Sequence, residues 1–291
     1  MMPAVEQRVP TTRADGLDME VTVAEFRSVA ALVQKTFGIH LPESKRAMMS
    51  CRMYKVVRAA GCGSFAEFYQ KHLTNPTPEA LSNLANALST NHTYFNREAS
   101  HFWFFRDEVL PELIGYQQRA GRRDIRVWCA ASSSGEEPYT LAMVIRDALG
   151  SRAKDWQGGL LATDISMNAL GKARKGTYQT DGAMELPDDM YRKYFRSVGG
   201  GMSEVVPDIK REVTFRRFNL MNARYPFKQP FHAVFCRNVM IYFEEDTKKK
   251  VVERIYDVTA PGGYLFVGMA ETISGLGTRF KSVRPGVYRK V

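Results

Sequence analysis

The sequence predicts an α/β protein in which helices cover both faces of a parallel sheet, preceded by a small all-helical domain. Two observations support this fold class. Up to about residue 90, apolar residues recur at three- and four-residue spacing, which is the period of helices. From about residue 125, short apolar runs alternate with helical stretches, which is typical of β-α-β units. The 291 residues, 44% of them hydrophobic, are enough to bury a substantial core.

The N-terminal part of the chain divides into a tail and a helical domain. Residues 1–20 are polar and lack a periodic apolar pattern, which predicts a disordered tail. Residues 21–90 form the predicted helical domain, whose first helix stops at Gly38. That helix is marked by Phe26, Val29, Ala30, Val33 and Phe37, and further helical runs cover 43–60, 64–74 and 77–90.

The predicted sheet follows a helical run at 100–119. Its strands are apolar runs at 125–129, 160–163, 233–236 and 264–267, and helices at 139–149 and 246–258 separate most of them. The Pro-Gly turn in RFKSVRPGVYRKV predicts an antiparallel hairpin at the C-terminus. Between Tyr178 and Asn219 the pattern loosens around three consecutive glycines, so this interval is interpreted as an excursion from the sheet.

Composition narrows the functional classes. The net charge of +10 indicates an acidic partner, although charge alone does not choose among nucleic acid, anionic membrane and acidic protein. No apolar stretch is long enough to span a membrane, and the N-terminus lacks the apolar block of a secretion signal, so we expect a cytoplasmic protein. The four cysteines have no CxxC spacing, which argues against a metal cluster or a redox pair.

The most informative segment is RVWCAASSSGEEPYTLAM, residues 126–143, which predicts a strand, a turn of small residues and a helix. Small residues before a helix N-terminus suit a nucleotide-type ligand, although plain packing geometry produces the same pattern. The second strand ends at Asp164, which either binds a ribose or caps the next helix. Serines and two glutamates replace the glycine-rich dinucleotide fingerprint, which favours a ligand with a ribose, a positive centre and no phosphate, such as S-adenosylmethionine.

Four runs together resemble the CheR family of chemotaxis receptor methyltransferases: TNHTYFNREASHFWFF (90–105), WCAASSSGEEPYTLAM (128–143), ATDIS (162–166) and FCRNVMIYF (235–243). The resemblance covers about 22–291, in order and at compatible spacing. It implies a class I S-adenosylmethionine-dependent methyltransferase domain of Rossmann-like fold, which with its linker spans 91–291. It also implies a small antiparallel β-subdomain inserted into that domain at about 178–216.

The resemblance also implies which residues contact the cofactor. They are Asn91, Thr93, Arg97, Glu136, Glu137, Asp164, Asn219, Leu220, Arg237 and Asn238. Ser133 and Ser134 depart from the family's more usual A-A-S-T-G turn, and we expect no loss of cofactor binding from these mild substitutions.

The implied reaction transfers a methyl group from S-adenosylmethionine to glutamate side chains of methyl-accepting chemotaxis receptors. A glutamate is ionised at neutral pH because its reference pKa is about 4.3, so no general base is required. Consistently, the five histidines form no base-and-orienter arrangement. We expect Arg97 to hold the acceptor carboxylate and Tyr242 to orient one of its oxygens, although an aromatic at a sheet end more often packs on the core.

One helix of the N-terminal domain, predicted over 44–59, carries Lys45, Arg52, Lys55 and Arg58 on one side. A basic helix face is usually only solvated, but the resemblance implies docking to glutamate-rich receptor helices, which would account for the basic charge. The loop at 196–213 is shorter than in family members that grip a receptor's C-terminal peptide, so we expect no such tether. We also expect a monomer, recruited to membrane receptor arrays without insertion into the membrane.

Three alternatives remain open at this level. A nicotinamide-dependent oxidoreductase would need the missing phosphate fingerprint. A nucleic-acid methyltransferase would be expected to show a base-flipping NPPY motif or interleaved basic and aromatic residues, and neither occurs. The remaining possibility is a non-catalytic module that binds S-adenosylmethionine and reports its level; retention of Arg97 and Tyr242 argues against it.

Overall fold

The computed structural model describes residues 18–291, so residues 1–17 of the predicted tail lie outside the described part of the chain. The described residues of the predicted tail, 18–20, include one that belongs to the folded protein. Met19 is buried, and its carbonyl accepts a 2.7 Å hydrogen bond from Ser50 Oγ. The chain divides into two compact units, residues 1–89 and residues 90–291. No helix within 18–291 has both the length and the apolar character that crossing a membrane requires.

The described part of the first unit is helical, as predicted. Its helices are α1 (Val23–Phe37), α2 (Arg46–Ala59), α3 (Phe65–Phe68) and α4 (Pro78–Leu88), with a 3-10 turn at Glu43–Lys45 and a π turn at Tyr69–Leu73. Thr22 and Glu25 form a capping box at the start of α1, and Gly38 ends the helix with φ +74°. The buried core includes Phe26, Val33, Met49, Met53, Phe65 and Leu84.

The second unit opens with helices and then builds its sheet. α5 (Ser100–Phe104) continues through a π turn at Phe105–Val109 into α6 (Leu110–Arg119). The next elements are β1 (Asp124–Cys129), α7 (Glu136–Leu149), a 3-10 turn at Gly150–Asp155, β2 (Gln157–Asp164) and α8 (Met167–Lys175).

The excursion comes next, followed by a return to the main sheet. The excursion comprises β3 (Thr177–Gln179), α9 (Thr180–Ala183), α10 (Asp188–Tyr194), β4 (Phe195–Gly199), β5 (Met202–Val205) and α11 (Pro207–Glu212). The chain then forms β6 (Val213–Arg217), β7 (Phe231–Phe235), a 3-10 turn at Met240–Tyr242, α12 (Glu245–Val258), β8 (Thr259–Phe266), β9 (Lys281–Arg284) and β10 (Val287–Arg289).

The main sheet has seven strands in the order β6-β2-β1-β7-β8-β10-β9. The first five are mutually parallel, whereas β10 runs antiparallel to both β8 and β9. The predicted parallel sheet and C-terminal hairpin are therefore confirmed. The strand that the prediction missed is β6, which occupies the edge next to β2.

The excursion carries the predicted antiparallel β-subdomain, a three-stranded sheet in the order β3-β5-β4. Its hairpin between β4 and β5 turns at Gly199, Gly200 and Gly201, all with positive φ. The subdomain strands end at Val205, and β6 already belongs to the main sheet from Val213, inside the interval of about 178–216 that was predicted for the insert.

Aromatic rings replace a helix in the connection from β6 to β7. Residues 218–230, all of them described, contain no helix. Instead, four rings lie with centroids 4.9–5.8 Å from the buried indole of Trp128: those of Phe218, Tyr225, Phe227 and Phe231. These rings cover the sheet face on which Trp128 lies.

Candidate functional site

The candidate site lies at the carboxyl edge of the parallel strands. The chain runs outward from β1 to β2 and β6, then returns to β7 on the other side of β1. Ligands of open α/β sheets bind at such a reversal of strand order, outside the carboxyl ends of the strands. The residues that follow β1, β2 and β7 are therefore the ones that could form a site.

The turn after β1 is shaped by left-handed backbone. Ser133 has φ +47°, and Gly135, which precedes α7, has φ +102°. A Cβ at Gly135 would stand 2.7 Å from Tyr178 Oη and 2.9 Å from Ala173 Cβ, so this position also requires glycine for close approach. Tyr178, from the inserted subdomain, donates a 2.8 Å hydrogen bond to the Ser134 carbonyl and so fastens the subdomain to the turn.

Asp164 is held at the end of β2 by two backbone donors. Its Oδ2 accepts from the N–H of Ser133 and its Oδ1 from the N–H of Ser166, each at 2.8 Å. The side chain is buried, and burial raises the pKa of Asp164 above its usual value despite these hydrogen bonds. The side chain that caps α8 is that of Ser166, whose Oγ accepts from the N–H of Ala169 at 3.2 Å, so the capping role considered for Asp164 belongs to Ser166. Each carboxylate oxygen of Asp164 can accept a further hydrogen bond, which leaves it able to bind a ribose.

We expect Asp164→Ala to weaken binding of S-adenosylhomocysteine, the product form of the predicted cofactor, by about 1.5–3 kcal/mol, because hydrogen bonds to a charged acceptor are lost. Calorimetric titration measures the dissociation constant, and urea unfolding of the same sample shows whether the variant is folded at the titration temperature. A folded variant with the wild-type dissociation constant would show that Asp164 does not bind the cofactor.

A buried arginine links the ends of β1 and β7. The Arg237 side chain is wholly buried: its Nη1 donates to Glu137 Oε2 at 2.6 Å, and its Nη2 donates to Glu98 Oε2 at 2.9 Å and to the Arg97 carbonyl at 2.6 Å. Burial alone would raise the pKa of Glu98, but hydrogen bonds from Asn238 and Arg237 outweigh it and lower the pKa. Arg237 therefore positions two carboxylates by neutralising them.

Another carboxylate, that of Glu271, organises the loop after β7. Glu271 accepts hydrogen bonds from the backbone N–H groups of Asn238 (2.8 Å), Ile241 (3.1 Å) and Gly268 (2.6 Å). Asn238 itself has φ +56° and donates its amide to Glu98 Oε1 at 3.0 Å. The loops after β7 and β8 are thereby fixed to each other and to Glu98.

Most of the remaining predicted residues are half-buried or exposed. Arg97 is half-buried, with Nη1 donating to the His92 carbonyl at 2.6 Å, and Tyr242 is half-buried in the 3-10 turn after β7. Glu136 opens α7, where Ser134 Oγ donates to both of its oxygens, and burial raises its pKa. Asn91 carries a carbonyl that accepts from Ser133 Oγ, Thr93 is half-buried, Asn219 Oδ1 accepts from the N–H of Met221, and Leu220 is buried.

Comparison with known proteins identifies the family to which this arrangement belongs. Residues 91–288 match the family described as "CheR methyltransferase, SAM binding domain", and residues 24–89 match "CheR methyltransferase, all-alpha domain". This chain belongs to the CheR methyltransferase family. The CheR match confirms the predicted class I S-adenosylmethionine-dependent methyltransferase fold with its helical N-terminal domain.

Named CheR relatives align over most of their length. A "Chemotaxis protein methyltransferase" of Borreliella burgdorferi is 34% identical over 274 residues, covering 94% of this chain and 96% of the relative. The protein of the same name from Escherichia coli is 35% identical over 268 residues, covering 91% and 90%, respectively. A "Probable chemotaxis protein methyltransferase" of Rhizobium etli is 36% identical over 247 residues, covering 84% and 91%.

The cofactor of this CheR-family chain is S-adenosylmethionine, as predicted, and the turn after β1 fits it. The cofactor has a ribose and a positive sulfonium and ammonium, and the turn is bordered by the carboxyl groups of Glu136, Glu137 and Asp164. Ser132 Oγ, buried in the same turn, has no hydrogen-bond partner among the described residues and so offers a further polar contact. No group of metal-binding side chains occurs within 18–291.

Two residues of the candidate site were not predicted from the sequence. Glu98 stands beside Arg97 in the NRE run, and Glu271 lies in the loop after β8. The signal for Glu98 was electrostatic: a cation at Arg237 that ends a buried strand needs a carboxylate, and Glu137 supplies only one. Glu271 binds only backbone N–H groups, so no sequence pattern marks it.

One residue of the predicted docking surface, Arg52, has a structural role instead. Arg52 is half-buried, and its Nη1 donates to the carbonyls of Leu88 (3.1 Å) and Ser89 (3.4 Å) at the end of α4. It therefore caps a helix within its own unit. Lys45, Lys55 and Arg58 are exposed.

Proposed function

We propose that this protein transfers the methyl group of S-adenosylmethionine to glutamate side chains of methyl-accepting chemotaxis receptors and so forms glutamate methyl esters. The observation that carries the proposal is the ordered set of carboxylates at the ends of β1 and β2, in a chain aligned over nine-tenths of its length with relatives named chemotaxis protein methyltransferase. The cofactor supplies an electrophilic methyl group on a sulfonium.

Two of the three histidines in residues 90–291 are poor candidates for a general base at neutral pH. His101 and His232 are buried, and burial, as the largest cause, lowers the pKa of each to about 4. A glutamate needs no base, because it is ionised at neutral pH. Catalysis would then depend on alignment, which can supply about 7 to 11 kcal/mol.

Arg97 and Tyr242 are the residues that we assign to the acceptor. Arg97 Nη1 donates to the His92 carbonyl, and the other N–H groups of the guanidinium remain able to donate to a carboxylate. Within the described residues, the Tyr242 hydroxyl has no hydrogen-bond partner, which leaves it able to donate to the second oxygen.

The decisive experiment incubates the protein with methyl-labelled S-adenosylmethionine and a receptor cytoplasmic domain, and then locates base-labile methyl esters by mass spectrometry. Label on glutamates supports the proposal. Cofactor binding without transfer to any receptor would instead indicate a non-catalytic S-adenosylmethionine-binding module, and label on another residue type or on nucleic acid would indicate a methyltransferase with another substrate.

We expect Tyr242→Phe to lower kcat at least tenfold, about 1.4 kcal/mol or more, with the affinity for S-adenosylhomocysteine nearly unchanged, because the hydroxyl acts on the incoming carboxylate. Arg97→Ala should lower both. The matched control is Tyr116→Phe, whose ring is 55% exposed on α6. Wild-type turnover in Tyr242→Phe would make the acceptor assignment wrong.

We expect Lys55→Ala with Arg58→Ala to raise KM for the receptor and to flatten its salt dependence, because exposed cations steer an acidic partner at low ionic strength. Arg52 is left intact because it caps α4. Arg27→Ala with Lys35→Ala removes the same charge from exposed positions of α1 and serves as the control. Equal receptor kinetics of the two double variants at low salt would show that this face of α2 is only solvated and does not dock the receptor.

The proposal places the protein in the cytoplasm, as a monomer recruited to membrane receptor arrays. It also holds that no C-terminal receptor peptide is bound. The short glycine turn between β4 and β5 supports this, because it leaves little backbone to shape a peptide groove. Saturable binding of such a peptide at low micromolar concentration would contradict this part of the proposal.

A further inference from the structure

Most of the positive charge of this chain lies outside the helical unit. Residues 1–89 contain 10 Lys and Arg against 8 Asp and Glu, whereas residues 90–291 contain 31 against 23, so their net charges are +2 and +8. The basic helix therefore belongs to the unit with the smaller share of the net charge. Most of the charge that could attract an acidic partner lies on residues 90–291, the catalytic unit.

Three exposed arginines cluster at the outer edge of the main sheet. Arg216 and Arg217 end β6, the edge strand, and Arg174 comes from α8. Arg174 Nη2 and Arg216 Nη1 both donate to the Phe215 carbonyl, at 3.3 and 3.0 Å. Among the described residues, none of the three arginines forms an ion pair.

The hydrogen bonds of this cluster do not offset its charge. The Phe215 carbonyl has two lone pairs and accepts from two guanidinium groups, and these adjacent like charges repel each other. A nearby anion would relieve that repulsion. Because guanidinium groups bind carboxylates through paired, charge-assisted hydrogen bonds, a cluster of this kind suits a carboxylate-bearing partner.

The cluster also borders the candidate site. In the parallel pairing of β2 with β6, Arg217 is the register partner of Asp164 and Arg216 that of Thr163. Just beyond, the N–H of Phe218 donates to the Asp164 carbonyl at 3.0 Å. The arginines therefore lie at the same carboxyl edge as the turn after β1.

We propose that Arg174, Arg216 and Arg217 form an anion-binding surface that takes acidic side chains of the protein segment carrying the methylated glutamate. The inference rests on the proposed function and adds to it a second contact with the substrate. A glutamate-rich segment brings further carboxylates to the site together with the reacting one, and these lie within reach of a cation cluster beside it. The cluster thereby orients the segment along the β6 edge.

The test compares two double charge reversals with the same change in net charge. Arg216→Glu with Arg217→Glu alters the cluster. Arg122→Glu with Arg123→Glu alters exposed arginines that precede β1 and so lie at the amino ends of the parallel strands, away from the candidate site. At low salt we expect KM for the receptor domain to rise about tenfold in the first variant and less than about threefold in the second, with the difference fading near 0.5 M salt. Equal changes in KM would overturn the proposal.

Direct binding separates this surface from the proposed reaction. The probe is a fluorescent poly-glutamate peptide, followed by anisotropy. The wild type and the Arg122/Arg123 variant should bind it alike, and the Arg216/Arg217 variant should lose at least about tenfold in affinity. A wild type that forms no methyl ester but shows this pattern contradicts the proposed function and leaves the surface intact. If the variant lost affinity only for a DNA oligonucleotide, the partner would be a nucleic acid and the proposal would be overturned.

Discussion

Replacing Arg237 with methionine is expected to lower the free energy of unfolding by about 3–5 kcal/mol and to abolish cofactor binding, because it leaves two largely buried carboxylates uncompensated. Glu137 and Glu98 both depend on this guanidinium for a charged partner, and the Arg237 side chain has no exposed surface. The turn after β1 would lose the carboxylate of Glu137 from its present position. Urea unfolding and calorimetric titration with S-adenosylhomocysteine measure the two effects.

The control for Arg237→Met is Arg279→Met. Arg279 also contacts two carboxylates, those of Glu253 and Asp257, but its side chain is 52% exposed, so we expect a loss below about 1 kcal/mol. Adding Glu98→Gln to Arg237→Met should recover part of the lost stability, since it removes one of the unpaired charges. An Arg237→Met protein as stable as Arg279→Met would show that the carboxylates are compensated in another way.

Gly135→Ala is expected to destabilise the catalytic unit by about 2–5 kcal/mol, the combined cost of left-handed backbone in alanine and of overpacking. The new methyl group would collide with Tyr178 Oη and with Ala173, part of α8. Relief requires moving either the turn or the inserted subdomain. We therefore expect the affinity for S-adenosylhomocysteine to fall with stability, as followed by thermal unfolding with and without ligand.

The control is Gly171→Ala, within α8. No atom lies within 4 Å of a Cβ built at Gly171, and its φ is not positive, so alanine should raise stability by about 0.5–1 kcal/mol through its better helix propensity. The two substitutions add the same methyl group and should have opposite signs. A neutral Gly135→Ala would mean that the turn shifts freely.

The parts of the fold that sequence reasoning predicted are those with a strong period. The helices of the first unit and the strands β1, β2, β7 and β8 each carry apolar residues on a face or along a run, and this pattern is what burial selects. β6 was missed because its exposed residues alternate with only two buried ones, Val213 and Phe215, as befits an edge strand. An edge strand pairs with a neighbouring strand on one side only, so the apolar pattern in its sequence is weak.

The residues of the candidate site likewise divide into those that the sequence could locate and those that it could not. Asp164 and Glu137 could be located because they follow buried strands at the carboxyl edge, where position alone carries information. The pairing of Glu98 and Glu137 with Arg237 could not be predicted, since the three residues meet only through folding. Arg52 shows the converse: on a helical wheel it belongs to a basic face, but its reach to the end of α4 depends on packing between helices.

The contacts around Arg237 join residues that are far apart in the sequence. Arg237 is 100 residues from Glu137 and 139 from Glu98, and Glu98 is 171 residues from Met269, whose N–H it accepts. Contacts of such high sequence separation form only after large loops have closed. A fragment of the catalytic unit that ends before Met269 or begins after Glu98 lacks part of this network, so during synthesis the network is complete only once Met269 has been made.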